Sequence, residues 1–202
     1  MIGILDYGVG NVNAFLNTYK KLGVKAQAIS DVSSLHLASH LVLPGVGSFD
    51  YAISKFNSSG LKQQTEELVI NSGIPLLGVC VGMQMLASIS DEGNESGLNW
   101  IPGTVQHFHK YNECNLPLPH MGWNKLIIES ENKITAGLDN AYFYFLHSFV
   151  YSLKDQCSVL ASADYNGKFS VVINKNNIYG MQCHPEKSHN FGAKFLKNFS
   201  EI

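Results

Sequence analysis

Short apolar runs that alternate with helical patterns constrain the fold of this chain more than any other feature. The apolar runs have the length of β-strands and lie at Ile2–Leu5, Ala26–Ile29, 40–43 and 75–79. The helical patterns cover 12–22, 59–72 and 81–88. Strands that are apolar throughout are typical of a parallel sheet with both faces covered. We therefore predict an α/β fold, with a central, mostly parallel sheet and helices on both faces.

The second half of the chain has a different pattern, in which apolar runs follow one another with tight turns between them. These predicted strands lie at 100–108, 123–129, 141–150, 158–163, 169–174 and 178–182, and a last helix covers 191–199. Asn166 and Gly167 form a typical turn pair between two of them. We expect antiparallel strands that extend the sheet. Ligands in such folds lie beyond the carboxyl ends of the parallel strands, which directs attention to 44–48 and to the turn at Cys80.

Length and composition indicate one domain that spans 1–202, because the chain has no repeat and no linker-like segment. Nucleic acid is a poor candidate partner, since the formal charge is −2 and all fourteen basic side chains are lysines. Neither a metal ion nor another cofactor is expected, because Cys80, Cys114, Cys157 and Cys183 lack zinc-site spacing. Their scatter suits a reducing compartment. With no apolar run of membrane-spanning length and no signal-peptide pattern, we expect a cytoplasmic protein.

Cys80 is the first candidate catalytic residue. The segment Gly78-Val79-Cys80-Val81-Gly82-Met83-Gln84 follows an apolar strand and opens a predicted helix. A cysteine on such a turn is exposed at the sheet edge, and the helix N-terminus favours its reactive thiolate form. A small buried cysteine between strand and helix would give the same pattern.

His184 and Glu186 form the second candidate pair, in the segment Gln182-Cys183-His184-Pro185-Glu186. His184 follows a predicted strand and can take the proton of a thiol, while Glu186 can accept a hydrogen bond from the other ring nitrogen. A surface loop with a chance histidine is the alternative. We take six other histidines as surface or packing residues: His36, His40, His107, His109, His120 and His189.

A third signal is the glycine-rich turn Pro44-Gly45-Val46-Gly47, which follows a strand. Backbone N–H groups in such a turn can stabilise an oxyanion, although alone it is an ordinary connection between a strand and a helix. Together the three segments supply the three roles that acyl transfer requires.

The pattern Gly78-x-Cys80-x-Gly82-x-Gln84, with His184-Pro185-Glu186 near the C-terminus, resembles the class I, or triad, glutamine amidotransferases. This resemblance implies a flavodoxin-like fold and release of ammonia from glutamine through a cysteinyl thioester. It implies a triad of Cys80, His184 and Glu186. The implied oxyanion site comprises Gly45, Val46, Gly47 and Val81. The implied glutamine contacts are Gln84, Glu92, Ser148 and Phe149.

Further motifs resemble the glutaminase subunits of imidazole glycerol phosphate synthase. They are Asp6-Tyr7-Gly8-x-Gly10-Asn11, Pro44-Gly45-Val46-Gly47-Ser48-Phe49, Pro119-His120-Met121-Gly122-Trp123-Asn124, Tyr144-Phe145-x-His147-Ser148 and His184-Pro185-Glu186-Lys187-Ser188. This second resemblance implies a heterodimer with a (βα)8-barrel cyclase that receives the ammonia in histidine biosynthesis. The residues implied at that interface are Asn11, Trp123, Asn124 and Lys187.

Two alternatives remain open from the sequence. Cys183 stands where the family commonly has phenylalanine, and Ser188-His189-Asn190-Phe191-Gly192 resembles a paralogous branch that supplies ammonia for amidation of a surface-glycan sugar. A non-catalytic binding subunit is the other alternative, although the intact Cys80, His184 and Glu186 speak against it.

Overall fold

The fold was analysed in a computed structural model that describes residues 1–113, 115–154 and 159–202. Cys114, Cys157 and Ser158, the first residue of one predicted strand, lie outside the described residues. Within the described ranges no helix is long and apolar enough to cross a membrane.

The first half of the chain forms alternating strands and helices. These are β1 (Ile2–Leu5), α1 (Val12–Lys21), β2 (Ala26–Ile29), α2 (Val32–Leu35), β3 (His40–Gly45), α3 (Phe49–Ser58), α4 (Lys62–Glu66) with a π-helical turn after it (Glu67–Asn71), β4 (Leu76–Cys80) and α5 (Val81–Gln84).

The second half consists mainly of strands. They are β5 (Ile89–Ser90), β6 (Gly103–His107), β7 (His120–Lys125), β8 (Ile127–Ile128), β9 (Tyr142–His147), β10 (Phe149–Leu153), β11 (Val159–Asp164), β12 (Lys168–Lys175) and β13 (Ile178–Met181). Helix α6 (Phe108–Asn112), two 3-10 turns (Lys133–Thr135 and Pro185–Lys187) and helix α7 (His189–Phe199) complete it.

The central sheet has eight strands in the order β2-β1-β3-β4-β13-β12-β11-β8. The first five strands in this order are parallel to one another. The other three, β12, β11 and β8, extend the sheet through antiparallel pairs. Every residue of β1, β4 and β13 is buried, because helices cover the sheet. The predicted α/β class, with a mostly parallel sheet and an antiparallel extension, is confirmed.

Two predicted strands are each divided between different sheets. The run 123–129 forms β7 and β8, which are separated by the buried Leu126, and the run 141–150 forms β9 and the start of β10. Strand β7 pairs with β9 in a two-stranded sheet, whereas β10 joins β6 and β5. The apolar pattern continues through each junction, so the sequence does not reveal where a strand changes sheet.

The helix predicted at 59–72 is confirmed as α4 and its π-helical turn, which start a few residues later and cover 62–71, whereas helix α3 (Phe49–Ser58) was not predicted. Gly60 separates them, with a φ of 77°. The signal for α3 was present, since Phe49, Ala52, Ile53 and Phe56 are buried along one face. The helix predicted at 81–88 is a single turn, α5.

Candidate functional site

The three sequence segments meet because β3, β4 and β13 are neighbouring parallel strands. Gly45 at the end of β3 pairs with Cys80 at the end of β4. Val79 pairs with Met181, the last residue of β13, so the chain from Gln182 onward starts beside Cys80. Parallel strands end at one edge of the sheet, which places the glycine-rich turn, the cysteine and the histidine together.

Cys80 lies on a sharp turn between β4 and α5. Its φ is 55° and its ψ is −114°, a conformation that a non-glycine residue adopts only at a cost of about 1–3 kcal/mol. The turn also requires glycine nearby: a Cβ on Gly82 would overlap the Leu43 carbonyl, and one on Gly45 would overlap the Gly82 backbone. Such strain is typical of a nucleophile held at the start of a helix.

His184 and Glu186 form a buried hydrogen-bonded pair next to the cysteine. His184 Nδ1 donates to Glu186 Oε1 at 2.9 Å, and both side chains are less than 5% exposed. Pro185 begins the 3-10 turn that carries Glu186 back to the imidazole. Because Nδ1 is bonded to the carboxylate, Nε2 is the ring atom available for proton transfer to or from Cys80.

Opposing effects set the pKa of His184. Burial lowers it, but the hydrogen bonds to the Cys80 side chain and to Glu186, together with their negative charges, outweigh burial and raise the pKa to about 10. An imidazolium at this position can pair with a thiolate nucleophile and can supply a proton to a departing amine.

A cavity of about 290 Å³ opens over Cys80 and has both polar and apolar walls. Its lining residues are Val46, Gly47, Cys80, Val81, Gln84, Glu92, Pro119, Leu146, His147, Ser148, Phe149, His184 and Lys187. All four residues that the resemblance implies as glutamine contacts are in this wall. Of the implied oxyanion residues, Val46, Gly47 and Val81 line it, whereas Gly45 packs against the backbone of Val81 and Gly82.

Glu92 connects the cavity to helix α3. Its Oε2 accepts a hydrogen bond from the Phe49 N–H at 2.8 Å, so it satisfies the first free donor of that helix. Burial raises the pKa of Glu92, the Phe49 hydrogen bond opposes this, and the nearby Asp50 charge adds to it. The carboxylate can receive a cationic group in the cavity.

The residues implied at a partner interface do not form a single cluster of contacts. Lys187 lies on the cavity wall with its Nζ 5.6 Å from the centre of the Tyr144 ring. Trp123 is 48% exposed, packs edge-on against Tyr144 and stacks on His189. The Asn124 side chain donates to His120 and to the Asp164 carbonyl. Asn11 caps α1 by accepting from the Ala14 N–H at 3.2 Å.

Sequence reasoning missed two polar residues at the site, namely Gln182 and His147. Gln182 is fully buried, and its Nε2 lies 3.8 Å from Cys80 Sγ. Its position two residues before His184 was the available signal, because alternate residues of an extended chain share a face. His120 is a buried packing residue with hydrogen bonds of its own. Cys183 is completely buried, and burial raises the pKa of its thiol well above the ordinary value.

Comparison with known proteins agrees with this geometry. The family model "Glutamine amidotransferase class-I" matches residues 3–202. The imidazole glycerol phosphate synthase subunit HisH of Leptospira interrogans is 45% identical over 205 residues, with all of both chains covered. The protein of the same name from Bdellovibrio bacteriovorus is 46% identical over 204 residues, again with full coverage of both.

Solved structures share the fold at much lower sequence identity. A glutamine amidotransferase crystal structure matches with a TM-score of 0.76 at 18% identity, covering 98% of each chain. The PurLQS structure from Thermotoga maritima matches with a TM-score of 0.76 at 16% identity, covering 99% of this chain and 97% of that one.

Proposed function

Because this chain belongs to the class-I glutamine amidotransferase family, we propose that it is the glutaminase subunit of an imidazole glycerol phosphate synthase. It hydrolyses glutamine to glutamate and ammonia and passes the ammonia to a synthase subunit. The observation that carries this proposal is the placement of Cys80 and His184 on the wall of one cavity, with Glu186 hydrogen-bonded to His184. The full-length relatives named as subunits of this synthase favour it over the sugar-amidation alternative.

In the proposed reaction, His184 accepts the Cys80 proton and the sulfur attacks the side-chain carbonyl carbon of glutamine. A C–S bond forms, and the carbonyl electrons move to oxygen, where N–H groups at Val81 and in the turn 45–47 stabilise the charge. The C–N bond then breaks as His184 donates its proton to nitrogen, which releases ammonia and leaves a thioester. Water attacks the thioester, His184 takes the water proton and returns it to sulfur, and glutamate departs.

Glu186 keeps the imidazole oriented through both halves of this cycle and stabilises its charged form. We assign the other end of the substrate to Gln84, Glu92, Ser148 and Phe149. The Glu92 carboxylate would receive the α-ammonium group, since it is the acidic group that lines the cavity.

We propose further that the synthase subunit is a (βα)8-barrel cyclase that docks over the cavity mouth. Exposed apolar side chains support this placement, because Val46 and Leu146 line the cavity, and Met121 and Trp123 follow along the strand that pairs with β9. Asn11, Asn124 and Lys187 would join this interface. We expect one domain over 1–202 and a cytoplasmic location, where the thiol of Cys80 stays reduced.

Complementation tests the pathway. A histidine auxotroph that lacks its own glutaminase subunit receives this chain together with the barrel subunit from the same genome. Growth without histidine supports the proposal, and growth should fail with Cys80→Ala when ammonium is low. Failure of the wild-type chain beside a working cognate pair would favour the sugar-amidation function, with the same triad.

A further inference from the structure

A carbonyl in the cavity wall fixes the direction of several buried hydrogen bonds. The Phe149 oxygen lies 2.8 Å from His147 Nδ1. Because a carbonyl oxygen only accepts, Nδ1 must carry the hydrogen. His147 is buried, and burial lowers its pKa to about 3, so the ring is neutral and Nε2 is left as an acceptor.

The same logic extends outward from His147. Its Nε2 lies 3.1 Å from His120 Nδ1, which must therefore be the donor. Burial lowers the pKa of His120 to about 4, so the ring is neutral. Its Nε2 carries no hydrogen and accepts from Asn124 Nδ2 at 3.3 Å. Asn124 Nδ2 also donates to the Asp164 carbonyl at 2.8 Å, at the protein surface. Each of these hydrogen bonds therefore has one possible donor and one possible acceptor.

The Phe149 carbonyl also fixes the donors and acceptors of the hydrogen bonds that lead from it toward Cys80. Gln84 Nε2 lies 3.5 Å from the Phe149 oxygen and 3.0 Å from Gln182 Oε1, so its two hydrogens meet two acceptors. Since the oxygen of Gln182 faces Gln84, its NH₂ group faces Cys80, with Nε2 3.8 Å from Sγ. Both amide side chains are buried, so water does not compete for these bonds.

We propose that Gln182 is a positioning residue for the nucleophile, held in orientation by a continuous amide–histidine chain. The members of this chain, from the surface to the sulfur, are Asn124, His120, His147, the Phe149 carbonyl, Gln84 and Gln182. A donor to sulfur stabilises the thiolate over the thiol, and a neutral amide does so without adding a charge beside His184.

The chain has a second consequence, which rests on the proposed glutaminase function. Both hydrogens of Gln84 are used inside the protein, so its oxygen is the atom left to accept from a substrate ammonium. The orientation of Gln84 depends on the Phe149 carbonyl, and that carbonyl depends on the histidine pair. Loss of the pair should therefore raise the KM for glutamine as well as disturb Cys80.

The direct test measures alkylation of Cys80 by iodoacetamide as a function of pH, with peptide mass mapping to separate Cys80 from the other cysteines. Gln182→Met keeps the volume and removes the donor. We expect Cys80 to react about tenfold more slowly at acidic pH, where the thiol competes with the thiolate, as for loss of one hydrogen bond to a charged group. An unchanged alkylation rate across the pH range in the folded variant would overturn the role of Gln182.

The histidine pair is tested with a variant matched for packing. The His120 ring lies flat between Phe145 and Tyr165, at centroid distances of 4.8 and 4.1 Å, so His120→Phe preserves the stacking and removes both nitrogens. We expect roughly threefold slower alkylation of Cys80 at acidic pH. His120→Asn should restore much of the rate, because its NH₂ group can replace the Nδ1 donor.

Phe169→Leu is the control, since Phe169 packs edge-on against His120 at 5.7 Å without a polar contact. It should lower the melting temperature and leave the rate of Cys80 alkylation unchanged. If His120→Phe matches this control in both respects, the histidine pair is only structural. Alkylation needs no glutamine, so this result stands apart from the proposed function, which fails instead if the wild-type complex does not hydrolyse glutamine.

Discussion

His184 Nδ1 lies 2.9 Å from Glu186 Oε1, with both groups buried at the edge of the central sheet. The two residues are separated only by Pro185, so a 3-10 turn alone holds the base and the group that orients it. The nucleophile reaches them from another strand, through the pairing of β4 with β13. The His184–Glu186 contact is therefore local in the sequence, whereas the approach of Cys80 to His184 depends on strand pairing in the sheet.

Replacement of the nucleophile should separate the two halves of the synthase reaction. Cys80→Ala should abolish glutamine hydrolysis and leave the ammonium-dependent synthase reaction of the complex intact, because we propose that the ammonia acceptor binds on the synthase subunit. Both rates are measured on the same complex. Cys183→Ala is the matched control, since Cys183 is buried away from the cavity wall and should retain glutamine hydrolysis. Equal loss of the ammonium-dependent rate in Cys80→Ala would contradict this division of labour.

Removal of the Glu186 charge should weaken the reaction without removing the nucleophile. We expect Glu186→Gln to lower kcat for glutamine by about 10²–10⁴-fold, as in other triads whose orienting carboxylate is changed. Steady-state kinetics of the complex measures this. A loss as complete as that of Cys80→Ala, or no loss, would contradict an orienting role.

The charge of Glu186 should also be visible in the titration of His184. The pKa of His184 is raised to about 10, so an NMR titration of the ring should give a midpoint far above the ordinary 6.5. Because the folded-state pKa is raised, this group stabilises the fold fully below about pH 6.5 and loses its contribution as the pH rises through about 10. Glu186→Gln should lower the midpoint. A wild-type midpoint at or below 6.5 would contradict the charged triad.

Glycine is required where the turn at Cys80 meets β3. A Cβ on Gly82 would overlap the Leu43 carbonyl. Gly82→Ala should therefore lower the free energy of unfolding by about 1–3 kcal/mol and strongly reduce glutamine hydrolysis. Gly60→Ala is the control, because Gly60 has open space around it and a φ of 77°. Its cost should be limited to about 1–2 kcal/mol of backbone strain, with activity retained. Equal activity of both variants would contradict the close approach.

The charge of Glu92 should act on substrate binding. Glu92→Gln keeps an oxygen that can accept from the Phe49 N–H and removes the negative charge from the cavity. We expect the KM for glutamine to rise about 10–100-fold with a smaller change in kcat, as for loss of one charge-assisted bond. A kcat that falls with an unchanged KM would place Glu92 outside the substrate site.

Much of this site could be predicted because its signals are local. Gly78, Cys80 and Gly82 lie within five residues, and His184 and Glu186 are two apart, so strand ends and turn chemistry identified them. Helix α3 was missed although its apolar face gave a signal, whereas the division of 141–150 into β9 and β10 could not be predicted, since it depends on which sheet each residue joins. The role of His147 could not be predicted either, because its contact with His120 crosses from strand to strand.

The most direct test of the account measures glutamine hydrolysis by the purified chain, alone and with the barrel subunit of the same genome. The complex is assayed with and without the barrel subunit's own substrate, the proposed ammonia acceptor. We predict little turnover by the isolated chain and strong stimulation by the histidine-pathway barrel with its ligand, because the N–H groups of the turn 45–47 must be aimed at the oxyanion. Stimulation only by a different barrel, or none by any, would contradict the proposed function.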